Sequence, residues 1–207
     1  MSLLKNELNK KIVAYTALFG PYDDLQEPEV HDEKCDFICF TDQDISSKRW
    51  KIIKVKTDIS PNLMNRKYKI LAHRFLEHYE YSLYVDSNLI IRTAPSELIF
   101  KHLQDNKIAI PNHVIWSCTY LEACRSITSN RIDAPKVFMQ MINYAHNGFP
   151  IFYGLTENSI ILRSHKDTQV INLMNLWWKE INKHAHRDQL CLQYLLWKNQ
   201  MKIKSIE

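Results

Sequence analysis

The stretch Tyr81–Arg92 reads YSLYVDSNLIIR, and its centre breaks the pattern around it. Apolar runs at Ser82–Val85 and Leu89–Ile91 flank three consecutive polar residues, Asp86, Ser87 and Asn88. A buried strand reads as a near-continuous apolar run. A carboxylate, a hydroxyl and a carboxamide set together at its end are costly unless something uses them. Oxygen donors two residues apart, Asp86 and Asn88, suit a hard divalent cation, Mg²⁺ or Mn²⁺, that also holds phosphate oxygens. The competing reading is a strand closed by an ordinary Asp/Ser/Asn turn.

Three other segments carry residue types of use to the same chemistry. In a helix predicted over Pro61–Tyr79, with Ser60 as N-cap, Met64, Tyr68, Leu71 and Phe75 form one apolar stripe. Asn62, Arg66, Lys69 and His73 form a narrow stripe opposite. That face is either a solvated basic surface or one wall of a cleft that offers a guanidinium fork and an ammonium to a pyrophosphate. The last predicted helix, Arg187–Gln200, opens with Arg187-Asp188-Gln189. Asp188 there either answers the helix dipole or, with Gln189, holds sugar hydroxyls, since carboxylate and carboxamide together accept and donate. Glu157-Asn158 is a similar pair at a strand mouth. Trp116, Tyr120, Trp177 and Trp178 are candidates to stack on a ring, although most of such residues belong to a core.

The elements that must position these groups alternate in type. Strands are predicted at Lys11–Phe19, Asp36–Thr41, Trp50–Val55 (an edge), Tyr81 to Asp86, Leu89–Arg92, Lys107–Ile110 and Asn158–Arg163. Helices are predicted at Pro61–Tyr79, Pro95–Leu103, Lys136–His146, Val170–Lys183 and Arg187–Gln200. This order argues for an α/β sheet with helices on both faces. No internal repeat, low-complexity tract or linker interrupts it, so residues 1–207 are expected to form one domain.

Composition bounds the function. Hydrophobic residues make up 45% and charged residues 24% of the 207, ordinary values for a globular chain with a real core. A net charge of +4 is mild and dispersed, so no nucleic-acid partner is implied, while a phosphorylated small molecule fits. Five cysteines, Cys35, Cys39, Cys118, Cys124 and Cys191, are odd in number and lack paired CxxC spacing. They read as reduced thiols of a cytoplasmic protein. No leader-like apolar segment or span of transmembrane length is present; peripheral contact with the inner membrane face stays open. Only three glycines occur, where average usage of ~7% would give about fourteen. The chain holds no GxGxxG, GxxxxGK[ST] or GxSxG, which argues against a Rossmann dinucleotide site, a P-loop and a hydrolase elbow.

The strings YTALFGPYDDL, CDFICFTD, NRKYKI, YSLYVDSNLII, YLEA, NGFP, GLTENSIILRSH, WWKEI and RDQLCLQYLLWK occur in one order from Tyr15 to Lys198. As an ordered set they resemble the TOD1/MUCI70-type glycosyltransferase-like domain, found in plant cell-wall proteins and in bacterial enzymes near surface-polysaccharide genes. The resemblance implies a GT-A-like nucleotide-diphospho-sugar fold, with Asp86-Ser87-Asn88 in place of the metal-binding DxD. It also implies a nucleotide-sugar donor, a glycan or other hydroxyl acceptor and a role in surface polysaccharide synthesis. Thr16, Ala17, Phe19, Gly20 and Asp42 would then cradle the nucleoside. Asp86, Ser87 and Asn88 would take the diphosphate, with Mn²⁺ or Mg²⁺ on Asp86 and Asn88 and with Arg66 and Lys69 assisting. Gln189 would help hold the donor, and Asp188 and Glu157 are the carboxylates expected at donor sugar or acceptor.

Three features depart from the family pattern. Asn88 leaves one formal charge fewer than a DxD, Trp116 stands where the pattern carries Arg, and no His follows His186. These departures point to a metal-weak site, and they sustain an alternative, a catalytically inactive sugar-nucleotide or glycan-binding module of a polysaccharide assembly complex. A nucleotidyltransferase ranks lower because its Gly-rich loop is missing. Oligomeric state, the sugar, the acceptor and the stereochemical outcome do not follow from the sequence.

Overall fold

The structure is a computed structural model, and it describes residues 11–129 and 133–206. The apolar, β-branched runs form six strands: β1 (Ile12–Leu18), β2 (Cys35–Thr41), β3 (Lys51–Lys54), β4 (Tyr81–Val85), β5 (Ile108–Ala109) and β6 (Ile160–Ser164). They lie in the order β3-β2-β1-β4-β6-β5. β3, β2, β1 and β4 are mutually parallel, whereas β6 runs antiparallel to both β4 and β5. The mixed α/β sheet expected from the alternation is therefore present, and β3 is an edge strand. The helices are α1 (Pro61–Ile70), α2 (Pro95–Leu103), α3 (Thr119–Thr128), α4 (Ala134–His146), α5 (Thr168–Lys183) and α6 (Leu192–Lys198).

Strand alternation divides the core in two. Val13, Tyr15, Ala17 and Phe19 join Met64 and Tyr68 of α1, Leu173, Met174 and Trp177 of α5, and Leu195 of α6 on one face. Ile12, Ala14 and Leu18 join Leu83, Val85, and Ile99 and Leu103 of α2 on the other. Helices thus cover both faces. No helix among the described residues is long and apolar enough to cross a membrane. All five cysteines are free, and only Cys124 is exposed.

Four elements differ from expectation, each for a local reason. The helix from Pro61 ends at Ile70 rather than Tyr79, and a 3-10 turn, Ala72–Arg74, follows. Its last carbonyls serve buried side chains: the Tyr15 hydroxyl donates to the Lys69 carbonyl at 2.8 Å and Arg163 Nη1 to that of Ile70 at 3.2 Å. Leu89–Arg92 is not a strand; a loop bonds to it and to the residues before it singly, Gln26 N to the Ser87 carbonyl and Glu29 N to that of Ile91. The closing helix is broken into a 3-10 turn, Asp188–Leu190, and α6. There the Asp188 carbonyl accepts from Trp177 Nε1 at 3.0 Å. Helix α3 escaped the periodicity because its buried face carries Thr119, Glu122 and Ser126 beside Ala123.

Candidate functional site

The sheet brings the ends of β1 and β4 side by side, and the antiparallel β6 starts where β4 stops, with Val85 opposite Ile160. Asp86 leaves β4 at this mouth and its N–H donates to the Ser159 carbonyl at 2.9 Å. The segment Glu157–Ser159 is thereby set beside Asp86. Ligands of open α/β sheets bind outside the carboxyl ends of the strands, and a cleft of ≈ 280 Å³ opens here.

Helix α1 forms one wall. Ser60 caps it, its hydroxyl accepting from Leu63 N, with Pro61 at the first helical position. Asn65 clamps it to the end of β1, accepting from Phe19 N at 3.0 Å and donating to the Phe19 carbonyl at 3.1 Å. Gly20 turns the chain with φ +72°, and a Cβ there would lie 2.8 Å from Pro61 Cβ, so the turn needs glycine. The stripe Met64, Tyr68 and Leu71 faces the core, while Arg66 and Lys69 point into the cleft.

The cations meet two carboxylates. Lys69 Nζ lies 2.8 Å from Asp188 Oδ2 and 3.4 Å from Asp86 Oδ1, and Arg66 Nη2 lies 3.8 Å from Asp188 Oδ1. The Lys69 and Asp188 side chains are only 8% and 9% exposed. Burial disfavours both charges, yet their mutual attraction outweighs it: Asp188 sits well below the usual carboxylate range, and Lys69 above the ordinary lysine value. Asp86 also accepts the Tyr84 hydroxyl at 2.7 Å. Burial and then the Asp86 charge hold the Tyr84 phenol well above its ordinary pKa, so it remains a donor.

Of the residues expected from the sequence, Ala17, Phe19, Arg66, Lys69, Asp86, Ser87, Glu157, Asp188 and Gln189 line this one cleft. Thr16, Gly20, Asp42 and Asn88 are not among its lining. Thr16 is fully buried within β1. Asp42 shapes the Gly20 turn instead, its Oδ1 accepting from Gly20 N at 3.1 Å. Asn88 is exposed, with Nδ2 3.5 Å from Asp23 Oδ1. Trp116, Tyr120, Trp177 and Trp178 do not line the cleft either; Trp177 acts from behind by holding the Asp188 carbonyl.

Sequence reasoning missed Tyr22, Asp23, Asn65, Tyr84 and Arg187, and it used Asn158 only as a neighbour of Glu157. Asn158 is 2% exposed, accepts from Thr156 Oγ1 at 2.8 Å and has no partner for Nδ2 among the described residues. A buried amide donor left open toward a cleft suits a ligand oxygen. The doublet Asp23-Asp24 after Gly20-Pro21 was the available signal for Asp23, and the strand position two before Asp86 was the one for Tyr84.

The donor set limits what metal can sit here. Among the described residues no group of three His, Cys, Asp or Glu side chains could hold an ion. The cleft face of Asp86, with Asp23 also in the lining and Asn88 reaching it only through its 3.5 Å contact with Asp23, fits a cation only if a ligand supplies the remaining oxygens, as phosphates do for Mg²⁺.

A family model described as TOD1/MUCI70, glycosyltransferase-like domain, matches residues 4–206. The chain is similar to the probable hexosyltransferase MUCI70 of Arabidopsis thaliana, 26% identical over 219 residues that cover 91% of this chain and 37% of the relative. The chain thus spans little more than a third of that protein. Among solved structures, mouse xyloside xylosyltransferase 1 superposes with a TM-score of 0.47 at 8% identity, covering 95% of this chain and 84% of that one. The bifunctional glycosyltransferase WbbM gives 0.46 at 10% identity, covering 95% and 38%. The mannosyltransferase Ktr4p of S. cerevisiae gives 0.46 at 10% identity, covering 90% and 67%.

Proposed function

The chain belongs to the TOD1/MUCI70 glycosyltransferase-like domain family, and on that premise we propose that it moves a sugar from a nucleotide-diphosphate donor to a hydroxyl of a glycan or other acceptor. The name of the Arabidopsis relative supports a hexosyl group as the cargo, and the family resemblance supports a role in surface polysaccharide synthesis on a GT-A-like sheet. The observation that carries the reading is the convergence of Asp86, Asp188, Arg66 and Lys69 on one cleft at the strand mouth.

The transfer breaks the bond between the anomeric carbon and the diphosphate oxygen, and the electron pair leaves with the diphosphate. Fixed positive charge at that oxygen lowers the barrier without reorganisation. Arg66 and Arg187 line the cleft and offer this charge, each also paired with a buried carboxylate, Asp188 and Glu122 respectively, while Lys69 sits between Asp188 and Asp86 and acts through them. Asp188 stays ionised and buried, which suits it to hold donor hydroxyls or face positive charge at the anomeric carbon rather than to take a proton. Glu157, 42% exposed, is the carboxylate free to accept the proton of the incoming hydroxyl. When bound, a divalent cation held by Asp86 and Asn88 would supply further charge to the diphosphate.

A thermal-shift screen of nucleoside diphosphates and of UDP- and GDP-sugars, with and without Mn²⁺, tests the proposal. Stabilisation by a nucleotide sugar is the expected result. A chain that none of them stabilises is not a sugar-nucleotide protein. The second reading, an inactive binding module, draws on Asn88 and its contact with Asp23; slow hydrolysis of the bound donor separates enzyme from module.

A further inference from the structure

Glu157 stands between two cavities. Beyond it, away from Asp86, a second cavity of ≈ 380 Å³ shares Glu157, Arg187 and Gln189 with the first and adds His113, Glu122 and Arg125. Its floor is polar and built. Glu122 is 2% exposed; its Oε1 accepts from Arg187 Nη2 and, at 3.2 Å, from Ser126 Oγ. Its Oε2 is buried with no hydrogen-bond partner among the described residues, the Arg125 Nη1 atom being 4.0 Å away. A carboxyl oxygen left so in a floor is costly unless a donor arrives.

His113 fixes the boundary. Its Nδ1 accepts from Ile115 N at 3.2 Å and from Trp116 N at 3.0 Å. Two donors on Nδ1 leave the proton of the neutral ring on Nε2. Nε2 faces Glu157 Oε2 at 3.7 Å. The histidine therefore turns an N–H toward Glu157, beside the carboxylate at the gap between the cavities.

We propose that this second cavity is the acceptor subsite and that it takes the neutral, hydroxyl-rich end of a glycan. The proposal rests on the sugar-transfer reading given above. A ligand hydroxyl donates to Glu122 Oε2, which would repel a carboxylate or phosphate at the same place. Another hydroxyl then lies at Glu157, facing the donor cleft. Its oxygen bonds to the anomeric carbon as the diphosphate departs, and its proton passes to Glu157.

Saturation-transfer NMR with a panel of neutral methyl glycosides and short neutral oligosaccharides, without donor, tests it on the chain as it stands. Ile115 is 72% exposed and lines the second cavity only, so Ile115→Arg fills that cavity at little cost to the fold, which the melting temperature checks. The expected result is saturation of at least one neutral glycoside, lost in Ile115→Arg and kept in Asp86→Ala. The inference is overturned if no neutral glycoside is saturated, or if the signal survives Ile115→Arg. Nucleoside-diphosphate binding, followed in parallel, reports on the donor cleft alone: its absence beside a glycoside signal that Ile115→Arg removes would sink the transferase reading and leave a glycan-binding groove.

Discussion

Lys69 and Asp188 form a buried 2.8 Å ion pair that ties α1 to the 3-10 turn at the far side of the cleft. Lys69 and Asp188 lie 119 positions apart in the 207-residue sequence, so the pair joins two distant segments on one face of the sheet. Such a pair is weak evidence for net stability, because desolvation offsets its attraction, but breaking it strands a charge.

Lys69→Met should therefore destabilise the fold by about 3–5 kcal/mol, the range for removing one partner of a buried pair. The double variant Lys69→Met/Asp188→Leu should lose less than the sum of the single changes, since it leaves no orphan at Asp188. Urea midpoints of the three variants check this. Strict additivity would mean that the two side chains do not interact in solution.

Asp86→Ala should reduce transfer or donor hydrolysis by at least about 100-fold, the scale on which lost electrostatic stabilisation registers. Its melting temperature should change little, because Asp86 is partly exposed to the cleft. A variant with full turnover would remove Asp86 from the reacting centre.

Mn²⁺ should strengthen nucleoside-diphosphate binding, and Asn88→Asp should steepen that response. One carboxylate attracts a dication less than two, and a new carboxylate at position 88 would stand next to Asp23. Calorimetric titration of the nucleotide at fixed Mn²⁺ reads the effect for both proteins. An identical metal response would place position 88 outside the coordination sphere.

The parts legible from the sequence were those that local pattern carries. The apolar runs at Ile12–Leu18 and Cys35–Thr41 and the amphipathic stripe Met64–Tyr68–Leu71 appear where expected. The polar tripeptide after Val85 marks the strand mouth, and Asp188 and Glu157 join it in one cleft. Helix ends were less legible, because distant side chains decide them: Tyr15 and Arg163 stop α1, and Trp177 breaks the turn at Asp188. Helix α3 was hidden because Glu122 is buried against Arg187, a partner 65 positions away. Asp42 reads like a ligand group beside a strand end, yet it serves Gly20.

His165 offers a pH test that is independent of the site. It follows β6 and is buried, with Arg163, His73 and Lys166 nearby. Burial first, and then those cations, lower its pKa to about 3 from an ordinary value near ~6.5. His73 and His186 are displaced in the same direction. The unfolded chain then binds protons that the folded chain refuses, so stability is full above ~6.5 and falls as the pH drops toward about 3. The Asp188 contribution is lost in a lower window, as pH falls below the ordinary carboxylate value of ~3.9 toward its depressed folded pKa. Melting temperatures taken from about pH 7.5 down to about pH 4.5, a range above the Asp188 window, should decline in the wild type. His165→Gln should flatten that decline, since a neutral amide has no proton to gain. A slope unchanged by the substitution would show that His165 is protonated in the folded protein as readily as in the unfolded one.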